Sequence, residues 1–286
     1  MAENEKEVLS LEEASQLFQV SSKTFLKILR EENIPARKIG REWRFSRTAL
    51  LKWMAEGSSQ DYVSVEEEGK AYFAHVAPVY DEMRKGCYAE ALRDILTSRF
   101  TPPMGSVVAD IGTGTGYLAK KLAEYSKTVN AIDSSPAMLE VARQGLTENE
   151  LKKIKLIEGD AHDLPLPDES QDLVYANLLI HHLLEPALAI KEMYRVLKPG
   201  NQVIITDIDR HNHKWTKSEK SDLWLGIERA DLRLWLTEAG FSDPKITDLG
   251  CTCRVNSATG VTVEIPMFLA IGHKSTSVES NHEIQR

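Results

Sequence analysis

The sequence predicts two domains: a small basic domain of short helices and a β-hairpin, followed by a doubly wound α/β domain built on a largely parallel sheet. Two observations predict the larger domain. From about residue 107 onwards, apolar strand-like runs alternate with helical patterns, which is typical of a sheet with crossover helices, and a glycine-rich loop follows the first run. A third observation predicts the smaller domain: residues 20–53 hold nine Lys or Arg against three Glu, in a chain of 286 residues with a net charge of −8.

The domain borders follow changes in composition. The stretch 57–61 is small and polar, and 66–69 is charged without an apolar period. We therefore interpret 58–70 as a linker between the domains. This places the small domain at 1–57 and the large domain at 71–275, with 276–286 as a polar tail that we expect to be disordered.

Local signals define three helices and one hairpin in the small domain. Ser10 and Glu13 have the spacing of a capping box and predict a first helix. A serine turn precedes a second helix over Lys23–Glu31, and Ser46 is placed to cap a third. Between these two helices, the residues on either side of Gly40 alternate as in a β-hairpin.

This arrangement, over residues 8–54, resembles the winged helix-turn-helix of the excisionase/MerR type. The resemblance implies binding of duplex DNA, with the second helix as the recognition helix and the hairpin as the wing. The predicted DNA contacts are Lys23, Lys27 and Arg30 in the helix and Arg41 and Arg44 in the wing. Proteins of this type read paired half-sites, so a homodimer is expected. The alternative is a scaffold whose basic face is merely solvated.

The glycine-rich loop of the large domain lies between Val107–Ala109, a short buried strand, and a helix that begins at Tyr117. Glycines alternate there at Gly112, Gly114 and Gly116, so the backbone can turn sharply and approach a ligand closely. The helix N-terminus offers N–H groups to the polar end of that ligand. A dinucleotide fingerprint would need its third glycine one residue later, where this chain has Tyr117.

Polar side chains stand at the ends of four successive predicted strands. They are Asp110, Asp133, Asp160 and Asn177. Open α/β sheets bind their ligands at this edge. Asp133 follows the glycines by about twenty residues, where a carboxylate can accept hydrogen bonds from both hydroxyls of a ribose.

These motifs together resemble the class I S-adenosylmethionine (SAM)-dependent methyltransferases, close to the menaquinone/ubiquinone methyltransferase group. The strings that carry the resemblance are DIGTGTG, AIDSSPAMLEVAR, EGDAHDLPLPDESQDLVYANLLIHHL and MYRVLKPGNQVIITD. The resemblance implies a seven-stranded Rossmann-like sheet whose last two strands, 245–255 and 261–272, form an antiparallel pair. The alternative is the same sheet with a degenerate pocket.

The resemblance also implies SAM as the cofactor. The residues that it assigns to cofactor binding are Asp110, Gly112, Thr113, Gly114, Gly116, Asp133, Ser134, Met138, Asp160, Ala161 and Asn177. In this assignment Asp133 binds the ribose, and Asp160 accepts from the adenine amino group.

The candidate catalytic residues lie beyond the strand ends. A protein that transfers a methyl group mainly aligns the acceptor and excludes water, but a hydroxyl or carbon acid also needs a general base. His181 and His182 follow the fourth strand, and His211 and His213 follow the fifth. We take His181 and His211 as candidate bases, with surface or capping histidines as the alternative. Tyr80 resembles the tyrosine that closes over the cofactor in the menaquinone-type family, although it equally fits a core position.

The three cysteines are an odd number without a C-x-x-C pair, which argues against a disulfide framework or a zinc knuckle. Cys251 and Cys253 lie two apart in a strand-like segment and so share one face. With Cys87 they form a candidate thiolate site for arsenite or mercury. The favoured alternative is three small core residues, so no metal is predicted.

Two function classes remain open. The first is an enzyme that methylates a small molecule and is regulated or localised by its DNA-binding domain, with a metalloid or thiol acceptor as a variant. The second is a transcriptional regulator that senses SAM or S-adenosylhomocysteine (SAH) without turnover. The stretch 206–241 resembles bacterial regulator–methyltransferase fusions, which does not separate the two. Because no 18-residue apolar run or signal peptide is present, we expect a soluble, cytoplasmic protein without membrane contact.

Overall fold

A computed structural model describes residues 6–31, 34–40, 42–56, 59–87 and 100–276. These residues fall into two compact units divided between Val65 and Glu66. Each unit has a hydrophobic core of its own.

The first unit contains three helices and a three-stranded antiparallel sheet. They are β1 (Val8–Leu9), α1 (Leu11–Leu17), α2 (Ser22–Glu31), β2 (Ala36–Ile39), β3 (Glu42–Ser46) and α3 (Arg47–Glu56). The sheet order is β1-β3-β2. The predicted hairpin is confirmed, with Gly40 in its turn at φ +64°. Strand β1 was not predicted, because two residues give no alternation that a sequence pattern can detect.

The predicted helix starts of the first unit are also confirmed. Ser10 and Glu13 form a reciprocal capping box, each side chain accepting a hydrogen bond from the other's backbone N–H. The Ser46 hydroxyl accepts from the Ala49 N–H at 3.1 Å and caps α3. The core beneath these helices centres on Phe25 and Leu50, which are 1% and 0% exposed.

The second unit is built on a seven-stranded sheet. Its strands are β4 (Val107–Ile111), β5 (Thr128–Asp133), β6 (Ile154–Glu158), β7 (Gln171–Asn177), β8 (Leu197–Ile208), β9 (Ser242–Asn256) and β10 (Thr262–His273). The order is β6-β5-β4-β7-β8-β10-β9. Strands β4 to β8 pair in parallel, and β10 is antiparallel to both of its neighbours. The doubly wound fold with its antiparallel final pair is therefore confirmed.

Helices surround this sheet. They are α5 (Tyr80–Arg84), α6 (Tyr117–Leu122), α7 (Pro136–Gly145), α8 (Glu148–Leu151), α9 (Pro186–Val196), α10 (Trp215–Lys220) and α11 (Arg229–Ala239). One buried cluster packs around α9 and α11, and another packs around α6 and β9. The sheet is thus covered on both faces, which leaves the carboxyl ends of the parallel strands as the natural place for a ligand.

The structure differs from the linker interpretation at 58–70. Most of that stretch lies in helix α4 (Ser59–Val76), and the division between the units falls inside this helix. Glu, Gln and Lys are good helix formers, so a polar stretch without an apolar period can still be helical. The predicted tail lies almost entirely outside the described residues.

The cysteines also differ from the expectation. Cys87 and Cys253 are joined as a disulfide, although they are 166 residues apart in sequence. Both side chains are buried, and Cys251 lies partly buried in the same apolar cluster. An odd number of cysteines means only that they cannot all be paired. It does not exclude one disulfide, so the expectation of three unpaired cysteines was wrong. With two sulfurs bonded to each other, a site of three thiolates is not present in this state.

No helix among the described ranges is both long and apolar enough to cross a membrane.

Candidate active site

The glycine loop begins where β4 ends and is shaped by the protein's own hydrogen bonds. Gly112, Gly114 and Gly116 have φ of +69°, +54° and +80°, a region that disfavours side chains with a Cβ. The N–H groups of Gly112 and Thr113 donate to the Ile132 carbonyl at 2.8 and 2.9 Å. A Cβ at Gly112 would lie 2.6 Å from Leu179 Cδ1. The backbone therefore needs glycine here for both its conformation and its close packing.

Asp110 lies beneath this loop with its side chain buried. The Thr113 hydroxyl donates to its carboxylate at 2.7 Å. Burial raises the pKa of Asp110 to about 7, because the charged form is poorly solvated there. The carboxyl thus titrates near neutral pH, at a position where a positively charged ligand would favour its ionised form.

Asp133 ends β5 and faces the loop. Its two carboxylate oxygens accept from the Gly114 N–H at 2.8 Å and the Ser135 N–H at 2.9 Å. Burial raises the pKa of this carboxyl, and the two backbone hydrogen bonds oppose that shift. Each oxygen keeps a second lone pair, so the carboxylate can still accept from two vicinal hydroxyls.

Asp160 follows β6, and its carboxylate is held by His162. Both the His162 ring and its N–H lie within hydrogen-bond distance, at 2.7 and 2.8 Å. The side-chain bond to His162 lowers the pKa of Asp160 to about 2. The carboxylate is therefore ionised and acts as an acceptor. Met138 and Ala161 are buried, and Asn177 accepts a hydrogen bond from Thr206 at 2.7 Å.

Helix α5 covers the glycine loop. Tyr80 is buried, and its ring lies 4.0 Å from the position that a Cβ on Gly114 would occupy. The Thr115 hydroxyl donates to Asp81 at 2.6 Å and ties the two segments together. Tyr80 also packs in a cluster with Met138. The tyrosine is therefore a core residue that lies beside the glycine loop, and its closing over the cofactor stays a prediction.

His181 lies beyond β7 in a 3₁₀ turn and is paired with a carboxylate. Its Nδ1 is 2.5 Å from Asp207 Oδ1, and both side chains are buried. Burial alone would lower the pKa of His181, but the Asp207 carboxylate outweighs it and raises the pKa above its ordinary value. Its other ring nitrogen, Nε2, is buried and has no hydrogen-bond partner within the described residues. It lies 3.7 Å from Asp222 Oδ1.

His182 stands next to this pair. Its Nδ1 lies 3.0 Å from the Ser221 carbonyl and 3.9 Å from Asp222 Oδ1, and its Nε2 is 3.5 Å from the Arg84 guanidinium. Burial is the main cause that lowers the pKa of His182, and the neighbouring His181 and Arg84 lower it further. The ring is therefore neutral and lies between the Asp222 carboxyl group and the Arg84 guanidinium.

His211 is close to the same residues but is not joined to them by hydrogen bonds that the structure describes. Its Nδ1 accepts from the His213 N–H at 3.2 Å, and its Nε2 is buried without a partner in the described ranges. Burial lowers the pKa of His211, and the Asp222 carboxylate opposes that shift. Of the two candidate bases, only His181 contacts Asp222 directly, at 3.7 Å.

The predicted DNA contacts are described only in part. Lys23, Lys27 and Arg30 lie on α2, but their side chains are outside the described residues, as is the whole of Arg41. Arg44 lies on β3, where its guanidinium contacts the Glu42 carboxylate and donates to the Trp43 carbonyl.

Sequence reasoning did not find Asp222 or Arg84. Asp222 follows α10 in a loop without a motif, and Arg84 lies on the short helix α5. Only the tertiary fold brings them to the histidines. A partial signal existed for Asp207, which ends the fifth parallel strand as Asp110 ends the first.

Comparison with known proteins agrees with this geometry. Residues 109–205 match the family model described as a methyltransferase domain, and residues 8–58 match a helix-turn-helix domain. A 2-methyl-6-phytyl-1,4-hydroquinone methyltransferase of Oryza sativa is 30% identical over 198 residues, which cover 68% of this chain and 59% of that protein. An uncharacterized methyltransferase of Geobacillus is 32% identical over 150 residues, covering 52% of this chain and 68% of that protein.

Solved structures share the fold of the second unit. A Haemonchus contortus phosphoethanolamine N-methyltransferase 2 in complex with SAM has a TM-score of 0.54 at 17% identity and covers 66% of this chain and 53% of that one. The Bacillus YcgJ protein has a TM-score of 0.56 at 16% identity, covering 66% and 100%.

The doubly wound fold, the glycine loop and the carboxylates at the ends of the parallel strands together define a class I methyltransferase domain. The chain belongs to the SAM-dependent methyltransferases and carries a helix-turn-helix domain at its N-terminal end. It spans between 56% and 59% of the length of the first curated relatives that it matches.

Proposed function

We propose that this chain transfers a methyl group from SAM to a small-molecule acceptor. The observation that carries the proposal is the convergence of Asp133, the glycine loop and the His181–Asp207 pair at one edge of the sheet. Leu179, which packs on Gly112, is two residues from His181, so the cofactor loop and the polar cluster are neighbours. The relatives named as quinol methyltransferases support a quinol as one acceptor to test.

The described residues fit SAM in three respects. The space beside Gly112 is filled by Leu179, whereas a Cβ on Gly114 would meet only the Tyr80 ring, at 4.0 Å, so a ligand can approach the backbone at Gly114. Asp133 keeps lone pairs for the ribose hydroxyls, and the ionised Asp160 can accept from the adenine amino group. We assign the remaining cofactor contacts as the family resemblance implies. SAM supplies an activated methyl group, so the protein's part is to orient the acceptor and to exclude water.

A regulator that binds SAM without turnover is the second candidate. The observation that favours it is the burial of His181, which is 1% exposed. A general base must touch the proton that it removes, and this ring has no surface open to an acceptor in the conformation described. We also propose, from the sequence, that the helix-turn-helix domain binds duplex DNA and that the chain forms a homodimer. A role in transcription and a cytoplasmic location belong to the same proposal.

Methyl transfer itself separates the two candidates. We expect the full chain, incubated with methyl-labelled SAM and a panel of quinols, thiols, arsenite and amines, to label at least one acceptor and to release SAH. Asp133→Ala removes the carboxylate that is proposed to accept hydrogen bonds from the ribose of SAM. This variant is the control for any transfer of label that does not depend on the cofactor site. Tight SAM binding with no labelled product across the panel would favour the sensor.

The pKa of Asp110 predicts a pH dependence of cofactor affinity. Below pH 7 the carboxyl is mostly neutral in the free protein, and a cationic ligand favours its ionised form, so binding must release a proton. We expect SAM affinity to rise by up to about tenfold per pH unit between pH 5 and 7 and to level off above. Calorimetry in buffers of different ionisation enthalpy measures the released proton. Asp110→Asn should flatten the profile; an equally steep profile in that variant would contradict the assignment.

A further inference from the structure

The cluster His181, His182 and Asp222 has the composition and spacing of a metal site. One ligand atom from each residue lies within 4.8 Å of the other two. Asp222 Oδ1 is 3.7 Å from His181 Nε2 and 3.9 Å from His182 Nδ1. Atoms bound to one metal ion at about 2.0–2.1 Å lie roughly 3–4 Å apart. His182 Nδ1 donates to the Ser221 carbonyl at 3.0 Å, so metal binding would replace this hydrogen bond and release its proton.

The orphaned nitrogen of His181 is an independent sign of a missing ligand. Nε2 is fully buried and unpartnered within the described part of the chain, and it faces a buried carboxylate. A buried polar atom without a partner is costly. On its other side the ring is fixed by Asp207, which leaves Nε2 as the free position. A carboxylate behind a ligating histidine is the usual outer partner of such a ligand.

The local charge also favours a cation. The carboxylates of Asp207 and Asp222 are 0% and 4% exposed, and Arg84 is the positive group that the structure places beside His182. A buried negative charge needs a counter-charge. A divalent ion beside Asp222 would supply such a counter-charge while ligating both imidazoles.

We propose that His181, His182 and Asp222 bind a divalent transition-metal ion of the Zn²⁺ type, with Asp207 as a positioning residue. Two imidazoles and one carboxylate suit Zn²⁺ better than Mg²⁺, which prefers oxygen ligands. Three protein ligands leave a coordination position open. The metal site does not depend on the proposed methyl transfer.

Binding of Co²⁺ and Zn²⁺ to the full, untagged chain tests the proposal. After treatment with a chelator, the protein should bind one Co²⁺ per chain, seen as a visible absorption band, and Zn²⁺ should displace it. Asp222→Asn should weaken binding by at least a hundredfold, and Asp207→Asn by about 10- to 100-fold. His273→Gln, at an exposed histidine on β10, is the matched control and should bind like the parent chain.

Melting curves keep the test independent of folding and of turnover. The metal should raise the melting temperature of the parent chain and of His273→Gln, since an ion that binds only the folded state stabilises it. Asp222→Asn should show no such rise when metal is added, whatever its own melting temperature. Equal Co²⁺ affinity in Asp222→Asn and His273→Gln, or no binding by the parent chain below about 0.1 mM, would overturn the proposal. If the parent chain does not bind the metal, a proton on His181 is the counter-charge of the buried carboxylates, and the proposed methyl transfer is unaffected.

Discussion

Replacing Asp133 with alanine is expected to weaken binding of both SAM and SAH by roughly tenfold to a hundredfold. The change removes the acceptor for two ribose hydroxyls and leaves them unpaired in the site, which costs about 1–3 kcal/mol. It also removes the acceptor of the Gly114 N–H, which holds the loop. SAM and SAH share the ribose, so both should lose affinity by a similar factor.

The matched control for Asp133 is Glu158→Ala. Glu158 lies opposite Asp133 in the register of β5 and β6, carries the same charge and is exposed. Calorimetric titration should therefore give parent-like affinity for Glu158→Ala. Unchanged affinity in Asp133→Ala, or tighter binding of NAD than of SAM by the parent chain, would contradict the assignment of this site.

The full chain is expected to bind duplex DNA with an affinity that falls several hundredfold between 50 and 200 mM salt. If the five predicted cations each neutralise one phosphate, the slope of log affinity against log salt is about −4 to −5, because each contact releases a counterion. Replacing Lys27 and Arg30 together should change which sequences are preferred, since the recognition helix faces the bases. Gel shifts with genomic fragments, repeated across the salt series, measure both effects.

The wing offers a sharper test of the same interface. Arg44 is paired with Glu42 in the structure, so this carboxylate competes with phosphate for the guanidinium. Glu42→Gln should therefore raise DNA affinity at every salt concentration, and Arg44→Ala should lower it evenly across sequences. Absence of binding at low salt by both the parent chain and Glu42→Gln would identify the basic domain as a scaffold.

The sequence predicted those features whose causes are local. Apolar runs followed by Asp110 and Asp133 predicted both the sheet and its ligand edge, because parallel strands place their carboxyl ends together. The capping box at Ser10 and the turn at Gly40 predicted the small unit in the same way. In each case neighbouring residues are sufficient to determine the local structure.

The features that escaped prediction depend on distant parts of the chain. Cys87 and Cys253 are brought together by tertiary packing across 166 residues of sequence. Asp222 joins His181 across a loop that has no pattern of its own. The sequence identified His181 as a candidate base, and Asp207 could be placed at the end of the fifth parallel strand, but the contacts of His181 with Asp207 on one side and Asp222 on the other were not predicted. Burial and pairing of this kind are set by tertiary packing.

The hydrogen bonds within the glycine loop bear on how a ligand is received. Ile132, Asp110 and Asp133 already hold the loop through its amides and the Thr113 hydroxyl. A loop ordered in advance spends little of the binding free energy on its own conformational entropy. The loop is therefore preorganised, and the Thr115–Asp81 hydrogen bond and the buried Tyr80 ring hold it from the side of α5 as well. Binding free energy gained at this loop should accordingly appear as ligand affinity rather than be spent on ordering the chain.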